Sequence, residues 1–213
     1  MKELLKRLEN ADSKKLNRII NSAMKEFGEN DFERASTNNI IEDAQVSKGL
    51  LFHYFGSKEN LYHYLIYFTI TTMSEKILKE IDWDKGDILE RIWKIIYMKL
   101  KLASEYPFIS DFSVQAFLHT PLEEIIEIAP NFNMEDYNSI YTKNIDYSLF
   151  KEGLDIEKAV NVVRWSLDRY GEELMRNMKT KEDFHMEKLA QNFYNYLDFF
   201  RNCFYKEGSD DKC

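Results

Sequence analysis

Residues 37–58 read TNNIIEDAQVSKGLLFHYFGSK, and their pattern decides the fold. Ile40, Ile41 and Ala44 give a first short helix an apolar face, and Val46 falls in the turn that follows. Ser47 can cap a second helix running from Lys48 through Phe55. Two short helices packed this closely need small and branched apolar residues between them. That is the pattern of a helix-turn-helix, whose second helix enters the major groove of DNA.

The side chains fit the same chemistry. Thr37 and Ser47 stand at helix N-termini, where free N–H groups and the helix dipole favour a phosphate. Gly49 costs its helix roughly 1 kcal/mol relative to alanine. A close approach of backbone to base edges would account for it; the plainer alternative is a glycine that lets two helices of a hairpin pack. Lys48 can reach a base acceptor or a phosphate, His53 and Tyr54 offer donors, and Phe52 can touch a thymine methyl. Lys58 opens the next helix, within reach of a phosphate.

The segment resembles the DNA-binding domain of TetR-family transcriptional regulators. Their pattern runs Thr, Ile-Ala, Ala-Gly-Val-Ser, Gly, Leu-Tyr, an aromatic, His or Tyr, Phe and Ser-Lys-Glu-x-Leu. This chain has Thr37, Ile41-Glu42, Ala44-Gln45-Val46-Ser47, Gly49, Leu51-Phe52, His53, Tyr54, Phe55 and Ser57-Lys58-Glu59-Asn60-Leu61, in that order. Agreement extends upstream to about Lys14 and covers about a quarter of the chain. Three positions depart from the pattern. Gln45 replaces the turn glycine and must adopt its backbone conformation without glycine's freedom. Glu42 replaces a small residue, which implies a solvent-facing position. Phe52 replaces a tyrosine that in relatives often donates to a phosphate.

The resemblance implies an all-α protein with an N-terminal three-helix helix-turn-helix domain over residues 1–56. A C-terminal helical ligand-binding and dimerisation domain follows over 57–207, then a disordered tail at 208–213. It also implies a homodimer on a palindromic double-stranded DNA operator, released by a small hydrophobic effector. The last two helices would supply the dimer interface, through Val163, Leu167, Leu174, Phe193, Leu197 and Phe200. An effector pocket would draw on Trp93, Tyr97, Phe112, Gln115, Phe117, Tyr141, Trp165 and Arg169. The helix that starts at Lys58 would act as a lever between the two domains.

Composition agrees with long helices and a large core. The chain has 13 Tyr, 15 Phe and 3 Trp, but only 7 Gly and 3 Pro. Apolar spacing predicts helices over Ser13–Phe27, stopped by Gly28, and from Ser57 to about Ile81. Others are predicted over Ile88–Glu105, Pro107–His119, from Pro121, and over Tyr137–Lys151. The last two run from Asp155 to about Lys179 and from Asp183 to about Lys206. Residues 1–11 read equally as a short helix or a loose arm.

The net charge of −8 divides unevenly. Residues 1–64 carry 10 Lys/Arg and 10 Asp/Glu, while residues 65–213 carry 19 and 27. The excess acid therefore lies outside the DNA-reading segment, and DNA binding must rest on locally placed cations. No apolar run is long enough to span a membrane, and the first residues lack a signal-peptide apolar block. A cytoplasmic location without membrane partners is expected.

Cys203 and Cys213 stand without a metal-type or redox-type neighbour motif, and the four histidines lack metal-ligand spacing. No metal, cofactor or catalytic residue is expected. GxSxG, HExxH and Gly-rich phosphate loops are absent, which argues against an enzyme acting on a lipid-like substrate. A constitutive DNA-binding protein without an effector is the nearer rival.

Overall fold

The computed structural model describes residues 1–177 and 184–207. In chain order the helices are α1 (Lys2–Leu8), α2 (Ser13–Glu29), α3 (Thr37–Ala44), α4 (Lys48–Phe55), α5 (Lys58–Ile70) and α6 (Lys76–Glu80). They continue with α7 (Ile88–Glu105), α8 (Ile109–His119), α9 (Leu122–Ile128), α10 (Met134–Ser139), α11 (Ile156–Asn177) and α12 (Met186–Phe204). The fold is all-α. Among the described residues the one extended pairing is an isolated bridge between Phe150 and Tyr205.

Packing divides the chain into two compact units. The first holds residues 1–75 and 105–132, and the second holds 76–104 with the described residues from 133 onward. These units do not coincide with the segments 1–56 and 57–207, because α5, α8 and α9 pack with the N-terminal helices. The tail expected at 208–213 lies outside the described residues.

In the first unit, α2 is the central strut. Asp12 caps it by accepting from the Lys15 backbone N–H at 3.0 Å. Ile19, Ile20, Ala23, Met24 and Phe27 are buried along one stripe. The helix does not stop at Gly28 but runs to Glu29. A Cβ on Gly28 would lie 3.2 Å from the backbone nitrogen of Phe112, so the glycine serves the close approach of α8. Phe27, Tyr62 and Phe112 stack edge to face, with ring centroids 5.1 and 5.7 Å apart. The first residues form a helix, with Leu4 and Leu8 buried.

The single long helix expected from 58 to 81 is broken. After Ile70 the backbone takes one π-helical segment, Thr71–Glu75, before α6 resumes. The hydroxyl of Thr71 donates to the Tyr67 carbonyl at 2.8 Å, and that of Ser74 donates to the Ile70 carbonyl. Such back-bonding competes with the regular ladder and loosens a helix locally.

The second unit is built on α7, α11 and α12. Asp87 caps α7, accepting from the N–H groups of Leu89 and Glu90 at 2.9 and 3.0 Å. The same carboxylate accepts from Tyr205 at 2.8 Å and pairs with Arg201 at 2.8 Å. The guanidinium of Arg91, 3% exposed, donates to the carbonyls of Lys85, Ile140 and Lys143. Two of those carbonyls lie where a helix over Tyr137–Lys151 was expected. Helix α10 instead ends at Ser139, Asn144 takes a left-handed φ of 54°, and a short 3-10 turn covers Tyr147–Leu149. Asp155 caps α11 as expected, accepting from Lys158 N–H at 3.1 Å. The cap expected at Asp183 lies outside the described residues.

Buried phenols link the fold to pH. Burial pushes Tyr64 up to about 12 from the ordinary 10.0. Burial also raises Tyr106, and it raises Tyr205 with the Asp87 carboxylate adding to the effect. Each folded-state value lies above the unfolded one, so the neutral phenols stabilise fully below pH about 10 and lose that contribution as pH climbs toward 12. Urea midpoints should therefore fall steadily over that window. Tyr64→Phe, which has no proton to lose, should flatten the fall.

Candidate nucleic-acid interface

Helices α2, α3 and α4 set the geometry. Glu26 on α2 is buried and accepts from the Ser36 N–H at 2.8 Å and from Asn39 Nδ2 at 3.2 Å. A carboxylate at the start of α3 satisfies groups a helix N-terminus leaves open. At the other end of α3, Asp43 accepts from Ser22 Oγ at 2.6 Å and pairs with Lys25 at 3.3 Å. Both ends of α3 are thus tied to α2. None of these residues was singled out from the sequence. The signal lay in Glu26, an acid standing on the apolar stripe of α2 between Met24 and Phe27.

The turn adopts the conformation the missing glycine would have favoured. Gln45 lies at φ 53°, ψ 49°, in the left-handed region, and caps α3. A left-handed non-glycine residue costs roughly 1–2 kcal/mol. Gln45→Gly should recover most of this and raise the melting temperature by about 2–4 °C; differential scanning calorimetry reads it directly.

On α4, Ser47 caps the helix by accepting from the Leu50 N–H at 3.1 Å. Leu51, Tyr54 and Phe55 turn inward, while Ser47, Lys48, Gly49 and His53 are exposed. Phe52 is half-buried, with the Lys48 ammonium 6.0 Å from its ring centre. A Cβ on Gly49 would find no atom nearer than Ser47 Oγ at 3.9 Å. Gly49 therefore does no packing work within the chain, and the hairpin alternative loses its basis. Glu42 is exposed, in line with the reading from sequence.

Two of the expected contacts are otherwise engaged. Tyr54 is 7% exposed, and its hydroxyl accepts from the Asp12 backbone N–H at 3.1 Å. Its ring is a buried strut and not a groove-facing donor. Lys58 sits 4.7 Å over the Phe32 ring and donates to the Glu33 carbonyl at 3.3 Å, so it braces the turn before α3. Thr37 is the first residue of α3, after the N-cap Ser36, and so stands at the helix N-terminus. The side chains α4 presents outward are Lys48 and His53, beside the bare backbone of Gly49.

The residues expected at a dimer interface are core. Val163, Leu167, Phe193, Leu197 and Phe200 are buried within the second unit, and Leu174 packs against the same cluster. The outward apolar face of α11 and α12 carries other residues. Val162 is 43% exposed, Trp165 61%, Tyr196 46% and Phe199 59%. Tyr196 meets Tyr170 of α11 with ring centroids 4.6 Å apart.

The eight expected pocket residues are divided between the two units. Phe112, Gln115 and Phe117 belong to the first unit, and the other five to the second. Phe112 is wholly buried core, while Trp165 and Arg169 lie on the exposed face of α11, Arg169 pairing with Glu172 and Glu173. Trp93 and Tyr97 stay together, 5.8 Å apart, and Tyr194 joins them at 5.4 Å from Trp93. Among the described residues no group of three or more His, Cys, Asp or Glu side chains could hold a metal ion, and no helix is long and apolar enough to cross a membrane.

A cation-bearing short helix, capped at its N-terminus and braced from behind by a second helix across a tight turn, has the form of a helix-turn-helix. Residues 19–65 match the family of bacterial regulatory proteins called the tetR family. The match covers the helix-turn-helix segment and supports a DNA-binding transcriptional regulator. No curated protein matches the sequence. Among solved structures, the fold is similar to a TetR family transcriptional regulator from Chloroflexus aurantiacus, with TM-score 0.59 and 18% identity over 94% of this chain and 97% of that one. It is also similar to CprB from S. coelicolor A3(2), with TM-score 0.55 and 16% identity over 92% and 91% of the two chains. A gamma-butyrolactone receptor, described as ArpA-like, gives TM-score 0.57 and 18% identity over 88% and 97%.

Proposed function

We propose that the chain is a ligand-responsive repressor that binds a palindromic operator as a homodimer and is released by a small hydrophobic molecule. The exposed α4 face of Lys48, Gly49 and His53 carries the DNA part of this reading. Two such faces related by a twofold axis read two half-sites. The apolar stripe of Val162, Trp165, Tyr196 and Phe199 supports the dimer, because exposed large hydrophobics along two adjacent helices suit burial against a second copy. The effector is supported by the aromatic group of Trp93, Tyr97 and Tyr194, and by the naming of one similarly folded protein as a gamma-butyrolactone receptor. Effector binding would favour one of two arrangements of the protein, and a coupling of about 1–3 kcal/mol is usual for such linkage.

The test is selection of duplexes from a random library by the full-length protein, followed by a screen of hydrophobic small molecules for release of the recovered duplex. A palindrome released by a ligand supports the reading. A non-palindromic consensus removes the dimer from it. Ligands that bind without altering duplex affinity remove the switch and leave a constitutive DNA binder.

A further inference from the structure

Helix α1 and the cap of α2 grip the far end of α4. Leu4 and Leu8 bury the inner face of α1, which packs on α4. Three of the last four carbonyls of α4 have donors from beyond the helix. Phe52 receives the Gly56 N–H at 2.9 Å, Phe55 receives Asn60 Nδ2 at 3.0 Å, and Tyr54 receives Arg7 Nη1 at 3.4 Å. The Tyr54 hydroxyl meanwhile accepts the Asp12 N–H at 3.1 Å. One residue is therefore held at its carbonyl by α1 and at its ring tip by the start of α2.

Gly56 has φ +78°, a conformation side chains rarely adopt, and lies beside Arg7 Nη1 and Asn60 Nδ2, which a Cβ there would meet at an ordinary contact distance of 3.5 Å. A guanidinium beside the last turn of α4 also complements the negative end of its dipole. Helix α4 has only eight residues, too short to hold a fixed orientation by its own propensity. Its pitch must come from what touches it.

Resting on the DNA-binding reading above, we propose that Arg7 and Tyr54 form a latch that sets the orientation of α4. Arg7 is then a positioning residue for sequence recognition and not a DNA contact. Its exposed side chain makes a direct phosphate contact the rival, and the two differ in what they predict.

The experiment uses the full-length protein, a duplex recovered by selection from a random library, and a scrambled duplex of equal length. Arg7→Ala should weaken the selected duplex roughly three- to tenfold. The scrambled duplex and the salt slope should not change. Backbone amides of residues 51–55 should exchange faster in the DNA-free protein. Arg7→Lys, which keeps a donor, should recover most of the affinity. Tyr54→Phe, which loses the bond to Asp12, should repeat the Arg7→Ala pattern. Equal losses on both duplexes, with a salt slope lower by about one, would establish the phosphate contact and overturn the latch. Wild-type affinity of Arg7→Ala for the selected duplex would overturn it as well. If the wild-type protein enriches no duplex, the DNA-binding reading itself fails and the latch fails with it.

Discussion

Replacing Trp165 and Phe199 together by glutamate should give a folded monomer that no longer holds a palindromic duplex tightly. Both side chains are more than half exposed in the single chain, at 61% and 59%. Exposed substitutions of this kind usually move stability by no more than about 0.5 kcal/mol. Across a twofold axis each would be counted twice. Burying a large apolar side chain is worth about 1.5–3 kcal/mol, so each position removes about twice that per dimer and adds two charges that resist burial. The dimer constant should therefore weaken by at least about a hundredfold, visible by sedimentation velocity while the helical circular dichroism is retained. The contrast is Phe193→Glu. That residue is 4% exposed, in the core of the second unit, and a buried unpaired charge there should unfold the unit. A double variant that still sediments as a dimer would remove this face from the assembly.

The same pair of helices shows what a sequence can and cannot disclose. The Asp155 cap of α11 and the amphipathic character of both helices were legible, because a stripe recurring every three to four residues survives any tertiary context. The assignment of that stripe was not. The most regular apolar row, through Val163, Leu167, Phe193 and Leu197, is the one a single chain buries first. The row left exposed is shorter and mixed with Arg169 and Ser166, so periodicity alone ranks it second. The aromatics expected at the pocket differ in burial for a related reason. Aromatics close in sequence were grouped, yet packing sends Phe112 into one core and Trp165 to a surface.

Other departures came from single polar side chains. Nothing in a pattern of apolar residues announces that Arg91 will enter the core and draw in the carbonyls of Ile140 and Lys143, ending α10 early. Likewise the hydroxyls of Thr71 and Ser74 are ordinary helix-surface residues until they bond backward and open a π-helical turn. The turn at Gln45 was legible, because a known glycine position constrains the backbone whatever occupies it. Tyr54 was misjudged because a phenol in a DNA-reading helix suggests a donor, whereas here the ring points inward and its oxygen accepts.

Gly49 offers the second large effect, and its value lies in opposite signs. Gly49→Ala should make the free protein more stable by up to about 1 kcal/mol, since alanine is the better helix former and its methyl meets nothing closer than 3.9 Å. The same methyl, pressed into a packed protein–DNA contact, acts as overpacking at about 1–3 kcal/mol, and so weakens the selected duplex by roughly ten- to a hundredfold. Gly49→Glu should go further, because a carboxylate there faces phosphates and base acceptors, and like-charge juxtaposition costs several kcal/mol. Thermal denaturation and duplex titration of the same samples separate the two effects. A glycine needed only for the fold would give the reverse, lower stability with binding preserved, and that result would remove α4 from the groove.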